Sequence, residues 1–344
     1  MTSSPTPATD LPPEHAGVVQ RLAALAEDVA AEVARTLTGP DDASAVAGQG
    51  VGDTTFALDT GPEARIAAWA AEQARTAPLS VLTEDRGWRH LGPDGDGGVR
   101  ELDTFDHGGG RYVFDPVDGT RPLMCGLRAA WFSAAWAPPG PHAPGLEDVA
   151  VGLLRELPPA GHTGAAERWI AATMDGGPRT WRSPAGAPLP GSAVHADESA
   201  ALERRYVSFF KFLPAERRGL AELEAAFLAR LAGEGVDTDQ IYDDQYTSNC
   251  AQLVLVARGS YRMLADLRAW EADRTGRVPL ATKAYDVAAA QLVARGVGAV
   301  VHGPDGAPLT GPLDATTPLS FVAYANRVTA ARCAPHLAGV LTER

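Results

Sequence analysis

Lysine is nearly missing from this chain: of 30 basic residues only Lys211 and Lys283 are lysines, against 43 acids and a net charge of −13. A protein that follows a nucleic-acid backbone needs a basic stripe to displace counterions, so the charge argues against that class. It leaves room for a phosphorylated small molecule, provided that metal ions supply positive charge locally. Cysteine is scarce as well. Cys125, Cys250 and Cys333 are an odd number, widely spaced, without a CxxC pair. Neither a disulfide framework nor a thiolate zinc site is expected, and a reducing cytoplasm fits best. No apolar run reaches the roughly twenty residues of a membrane span, so no membrane partner is expected. The opening MTSSPTPATDLPPEH lacks the basic-then-apolar layout of a signal peptide and reads as part of a disordered tail over residues 1–16.

What is present suits a folded protein: 344 residues, 45% hydrophobic and 21% charged, enough to bury a large core in one domain of two lobes. Val18, Leu22, Leu25, Val29 and Val33 recur at helical spacing and predict a helix over 17–36. A Gly/Asp-rich loop over 39–52 and a second helix over 62–76 follow. LSVLTED (79–85) reads as a buried strand ending in acids, GPDGDGG (92–98) as a turn, and RYVFD and AAWFSAAWAP as strands. Residues 138–200 mix apolar runs with Pro/Gly-rich stretches and suggest short strands and a long loop over a site. Helices are expected over 216–231 and from 249, with a helix, a strand and a turn over 283–309. Helices and strands alternate without a pure crossover pattern, which favours a layered α/β or α+β sandwich.

The chemistry concentrates in DPVDGT, residues 115–120. Asp115 and Asp118 can face one concavity, the Val117 carbonyl can add a third oxygen, and the Gly119 and Thr120 N–H groups can receive phosphate oxygens. The same letters also describe an Asp-Pro turn with a helix cap. Glu84 and Asp85 at a strand end, Asp59 before a helix and Asp286 at a helix start each have an equally ordinary reading as turn or cap residues. His107, His142, His162 and His195 lack metal-ligand spacing and are read as surface or local hydrogen-bonding groups. Arg204-Arg205 and Arg217-Arg218 are read as solvated faces.

Taken in order, these pieces resemble the inositol monophosphatase family of magnesium-dependent, lithium-sensitive phosphatases. DTTFALD (Asp53 to Asp59) is similar to its first acidic block, Thr83-Glu84-Asp85 to its Gly-Glu-Glu, DPVDGT to its Asp-Pro-Ile/Leu-Asp-Gly-Thr, and YDVAAA (Tyr285 to Ala290) to its Trp-Asp-x-Ala-Ala-Gly. The resemblance covers about residues 45–330 and implies an αβαβα sandwich of the inositol monophosphatase / fructose-1,6-bisphosphatase type. The implied lobes are 17–140, holding metal, and 141–344, carrying the Asp286 helix. It implies two or three Mg2+ ions: one held by Glu84, Asp115 and the Val117 carbonyl, a second by Asp115, Asp118 and Asp286, a weak third near Glu84. Asp59, Glu84 and Thr120 are the implied catalytic residues, with Asp118, Gly119 and Thr120 at the phosphate. Ser248, Asn249 or Gln245, in YDDQYTSNC, are the candidates for touching the leaving group.

Phe56 in place of the usual Thr, Asp85 for Glu, Ala290 for Gly, a flap without its lysine, and Arg121-Pro122 after Gly-Thr mark a divergent member. The implied activity is hydrolysis of a small polyol, sugar or nucleotide phosphate, in a cytoplasmic homodimer. A 3′-nucleotidase or histidinol-phosphate phosphatase is the alternative within that class. A non-catalytic binding protein that kept the fold is the alternative outside it.

Overall fold

The computed structural model describes residues 11–344 except 41, 52, 53, 213, 278 and 279. The expected helical stripe forms α1 (Pro13–Thr38), with Val18, Leu22, Leu25, Val29 and Val33 buried. It begins at Pro13 rather than Gly17, since proline is tolerated in a first turn. The rest of the expected tail, 1–10, lies outside the described residues. A hairpin of β1 (Val46–Gln49) and β2 (Thr54–Phe56) occupies ground expected to be loop. α2 (Ala57–Ala74) starts before the expected Pro62, which lies inside it.

Next come β3 (Leu79–Thr83), β4 (Gly87–Pro93), β5 (Val99–Glu101), β6 (Gly110–Asp118), the short α3 (Thr120–Met124) and β7 (Ala130–Ala137). β8 (Val151–Leu157), β9 (Glu167–Met174), β10 (Gly177–Pro184) and β11 (Ser192–Val194) complete one nine-stranded sheet, ordered β11-β10-β9-β8-β7-β6-β3-β4-β5. The stretch 138–200 carries the expected strands, as β8 to β11, with separate connections between them in place of one long loop over a site. β8 and the middle of β9 are covered on both faces and read as continuous apolar runs without the alternation that marks a half-exposed strand, whereas β10 and β11 are partly exposed. The lobe boundary expected near residue 140 also falls between β7 and β8, which are hydrogen-bonded neighbours.

The second sheet, ordered β12-β13-β15-β14, is built from β12 (Tyr206–Phe209), β13 (Tyr261–Asp266), β14 (Val300–His302) and β15 (Phe321–Tyr324). The helices with it are α4 (Pro214–Gly233), α5 (Asn249–Ala257), α6 (Arg268–Thr275), α7 (Ala284–Val297) and α8 (Arg327–Thr342). Three apolar clusters separate the layers. Leu22, Ile66, Phe114 and Phe132 join α1 and α2 to the large sheet. Trp169, Val254, Ala289 and Phe321 join that sheet through α5 and α7 to the small one. Phe209, Leu223, Phe227 and Leu337 join the small sheet to α4 and α8. The order is the αβαβα sandwich that the sequence implied.

Helix α7 sits in the middle layer, and its run of small residues Ala288, Ala289 and Ala290 is fully buried. Gly152 on β8 lies against this run, where a Cβ would stand 2.9 Å from the Ala289 carbonyl oxygen and 3.1 Å from its Cα. Only hydrogen fits between strand and helix there. Gly152→Ala is expected to cost about 1–3 kcal/mol of unfolding free energy, as overpacking does, in a urea denaturation series. An unchanged midpoint would contradict this close approach.

Candidate active site

In a regular strand, residues an odd number apart point to opposite faces, so Asp115 and Asp118 would be separated by the sheet. They are not. Asp115 pairs with Ser133 and Asp118 with Trp131, so β6 has gained one residue on β7 between them. This bulge, at Pro116-Val117, turns both carboxylates into the same cleft. Gly119 follows with φ 97°, and a Cβ there would meet Ser248 Cβ at 3.0 Å. Glycine is required by both the backbone and the space.

Parallel pairing supplies the next acid. β3 runs alongside β6 with Leu82 opposite Val113, so Glu84, just past the end of β3, arrives beside Asp115. The remaining two carboxylates come from helix starts. Asp59 and Asp286 each occupy the third position of their helix and cap it backwards: Asp59 Oδ2 accepts from Phe56 N at 2.9 Å, and Asp286 Oδ2 from Lys283 N at 2.7 Å. Both residues are caps and both also line the cleft, so the capping role does not exclude a site role. Asp59 Oδ1 accepts from Thr120 Oγ1 at 2.9 Å, and that hydroxyl also lies 2.8 Å from the Val117 carbonyl. Asp118 Oδ2 accepts from Ser248 Oγ (2.8 Å) and Cys250 N (2.5 Å) at the start of α5. Asp115 Oδ1 accepts from Val117 N at 3.0 Å.

Asp59, Glu84, Asp115, Val117, Asp118, Gly119, Thr120, Ser248, Asn249 and Asp286 all line one open cleft. Burial and then the charges of Asp118, Asp286 and Glu84 hold Asp115 well above the usual carboxylate range. Asp118 is raised by burial against the opposing effect of the Cys250 N–H. Burial and Asp118 push Asp286 up to about 7, and burial pushes Asp59 up to about 6. Glu63, one turn further along α2, is pushed up to about 7 by burial and by Asp85.

Carboxylates with a backbone carbonyl are hard oxygen donors, the set that suits Mg2+, and the mutual repulsion written in these shifts is what a dication relieves. The residues present therefore fit the implied metal. Among the described residues no three His, Cys, Asp or Glu side chains already close around an ion-sized point, which repelling carboxylates alone would not do.

Other expected residues fall elsewhere. Gln245 binds Lys211 N and Phe209 O in a neighbouring depression. The Asn249 amide is turned inward, accepting from Thr282 and donating to Asp266, although the residue lines the cleft. His107 bonds Ser80 and Gly109, away from the carboxylates. Asp53 lies outside the described residues. Two departures from the family pattern turn out to be neighbours: the Arg121 guanidinium carbon lies 5.5 Å from the Phe56 ring centre and 5.6 Å from that of Phe212. Sequence reasoning missed Arg268, Lys283, Phe210 and Phe212, all in the cleft wall. For Lys283 a signal existed, since a chain with two lysines places one of them here.

No protein-family model matches the chain, and no curated protein matches it. Solved structures do. A hypothetical protein of Pyrococcus horikoshii with similarities to inositol-1 monophosphatase superposes with TM-score 0.61 at 16% identity, over 95% of this chain and 98% of that one. The extragenic suppressor protein suhB of Bartonella henselae gives 0.61 at 15% identity, over 94% and 98%. Inositol monophosphatase-II of Staphylococcus aureus MSSA476 gives 0.56 at 15%, over 95% and 97%. The chain has the inositol monophosphatase-like fold across nearly its whole length, at an identity that marks it as divergent.

The raised carboxylates fix the sign of a pH effect. Groups with higher pKa values folded than unfolded bind more protons in the native state, so stability falls as pH rises through that interval. In EDTA, the melting temperature is expected to drop between about pH 4 and 7.5, the span set by the ordinary Asp value and the raised values near 6 and 7. Mg2+ is expected to flatten most of the slope, leaving the part due to Glu63. A melting temperature that rises across this span in EDTA would contradict the electrostatics of the cleft.

Proposed function

We propose that the chain is a magnesium-dependent phosphomonoesterase acting on a small polyol, sugar or nucleotide phosphate. The observation that carries this is the meeting, in one cleft, of the Glu84, Asp115, Asp118 and Asp286 carboxylates with the hydrogen-bonded pair Asp59–Thr120. Divalent cations held by Glu84, Asp115, the Val117 carbonyl, Asp118 and Asp286 would supply Lewis acidity and a more acidic bound water.

The chain's own residues do the rest. Thr120 has a single hydroxyl proton for two acceptors, Asp59 Oδ1 and the Val117 carbonyl. With that proton given to Asp59, the Thr120 oxygen is free to accept one from the attacking water, and Asp59 provides the negative charge that makes a weak base useful. Glu84 orients the same water. The Gly119 and Thr120 N–H groups bind phosphoryl oxygens, which the bulge and the left-handed Gly119 bring past the carboxylates. Ser248 acts on Asp118, fixing its rotation through the bond at 2.8 Å.

The substrate range agrees with the ligands of Staphylococcus aureus inositol monophosphatase-II, whose structures hold inositol monophosphate and 2′-AMP. A homodimer in the cytoplasm accompanies this reading, on the family resemblance.

Phosphate release from a panel of phosphomonoesters, with and without Mg2+, tests the reading. Thr120→Ala and Asp59→Asn are expected to lower kcat by about 10²–10⁴-fold, the usual share of general base catalysis, and Asp115→Asn to abolish turnover with the fold retained. Mg2+ binding without turnover of any ester would instead make the chain a binding protein. Full activity of Asp115→Asn would contradict the metal assignment.

A further inference from the structure

The cleft has two chemically different walls. Asp59, Glu84, Asp115, Asp118 and Thr120 come from α2, α3 and the large sheet, whereas Arg268 and Lys283 enter from the connection between β13 and α7, with Asp286 following on α7 itself. Arg268 is locked in place: Nε and Nη2 bind Asp266 at 2.9 and 2.7 Å, Nη1 binds the Leu280 carbonyl at 3.0 Å, and its guanidinium carbon lies 4.4 Å from the Phe210 ring centre. Asp266 compensates its charge.

Lys283 is different. It is only 8% exposed, and the described hydrogen bond of its ammonium goes to a neutral acceptor, the Ala281 carbonyl, at 2.8 Å. Two of the three ammonium N–H donors remain for the cleft. A buried ammonium beside a carbonyl recovers little of its lost hydration, whereas an anion would recover much more. The other lysine shows the contrast: Lys211 Nζ lies 2.6 Å from Glu224 and 3.4 Å from Asp243. On this wall Asp266 offsets Arg268, and Asp286, whose Oδ2 accepts from the Lys283 backbone N–H, is the carboxylate nearest in sequence to Lys283. A cation bound by Asp286 would leave the Lys283 ammonium as the positive group still without an anionic hydrogen-bond acceptor among the described residues.

The next step rests on the phosphomonoesterase reading. With water activated at Thr120 and Asp59, in-line displacement drives the leaving oxygen away from that pair, toward the opposite wall. We propose that the leaving group carries its own anionic group, a carboxylate or a second phosphate, and that the Lys283 ammonium binds it. Arg268, already paired with Asp266, shapes the surface against which the group lies.

Matched esters test this with the full chain and Mg2+. For the carboxylate arm, 2-phosphoglycolate is compared with 2-hydroxyethyl phosphate. For the second-phosphate arm, 1,3-propanediol bisphosphate is compared with the monophosphate. In the wild type, kcat/KM is expected to favour the anion-bearing ester of at least one pair by about tenfold to a hundredfold, the range of a charge-assisted bond. Lys283→Met should reduce that ratio at least tenfold, mainly through KM, and Lys283→Arg should keep most of it. The Lys283 charge also acts on Asp286, but that influence is common to both esters of a pair and cancels in the ratio. A melting curve checks the fold of each variant. Equal kcat/KM within both pairs, or an unchanged ratio in Lys283→Met, overturns the proposal.

If no ester is turned over, the phosphomonoesterase reading fails, and calorimetry decides the binding claim by itself. Phosphonoacetate should then bind more tightly than ethylphosphonate to the wild type, with the difference lost in Lys283→Met. Equal affinities would overturn it.

Discussion

Repulsion between buried carboxylates is the constraint on which the rest of this structure depends. Asp115 senses Asp118, Asp286 and Glu84 at once, and burial raises the cost of charging it further. Each aspartate is held by a backbone N–H: Asp115 by Val117, Asp118 by Cys250, Asp286 by Lys283 and Asp59 by Phe56. These bonds favour the charged forms and fix the carboxylates where side-chain torsion alone would let them swing apart. The three layers of core then lock the elements that carry those N–H groups, with α7 pressed against Gly152 and the start of α5 bound to Asp118.

Substitutions relative to the family pattern are local and connected. The Arg121 guanidinium lies over the rings of both Phe56 and Phe212, so the residue after Gly-Thr and the residue that ends the hairpin are mutually compatible partners. On the far wall, the connection through α6 brings in Arg268 and Lys283. The acidic half of the cleft keeps the common pattern while the rim and far wall do not. Under the proposed function, this would be common chemistry on an altered surface, the usual way in which one fold serves different substrates.

What could be read from the sequence was what is local. DPVDGT, Glu84 and Asp286 were legible because each lies at the end of an element whose apolar pattern is plain. The bulge that unites Asp115 and Asp118 was not, since it depends on register against β7. Asp59 and Asp286 looked like helix caps and are helix caps; that they also line the cleft appears only in the folded chain. Short strands were expected within 138–200, but the bounds of β8 and β9 were not legible because Leu153, Leu154, Ile170 and Ala171, buried on both faces of the sheet, show no period of two. Arg268 and Lys283 belong to no motif; the fold of the connection from β13 to α7 brings them into the cleft, and only the scarcity of lysine singles out Lys283 in the sequence.

The central claim is that four carboxylates from three distant segments form one cation site. Soaking crystals in Mn2+ and recording anomalous diffraction tests it most directly. The account predicts anomalous peaks within coordination distance of Asp115, Asp118 and Asp286, lost when Asp115 is replaced by Asn. Strong peaks only elsewhere on the surface, or none in the cleft at millimolar Mn2+, would contradict it.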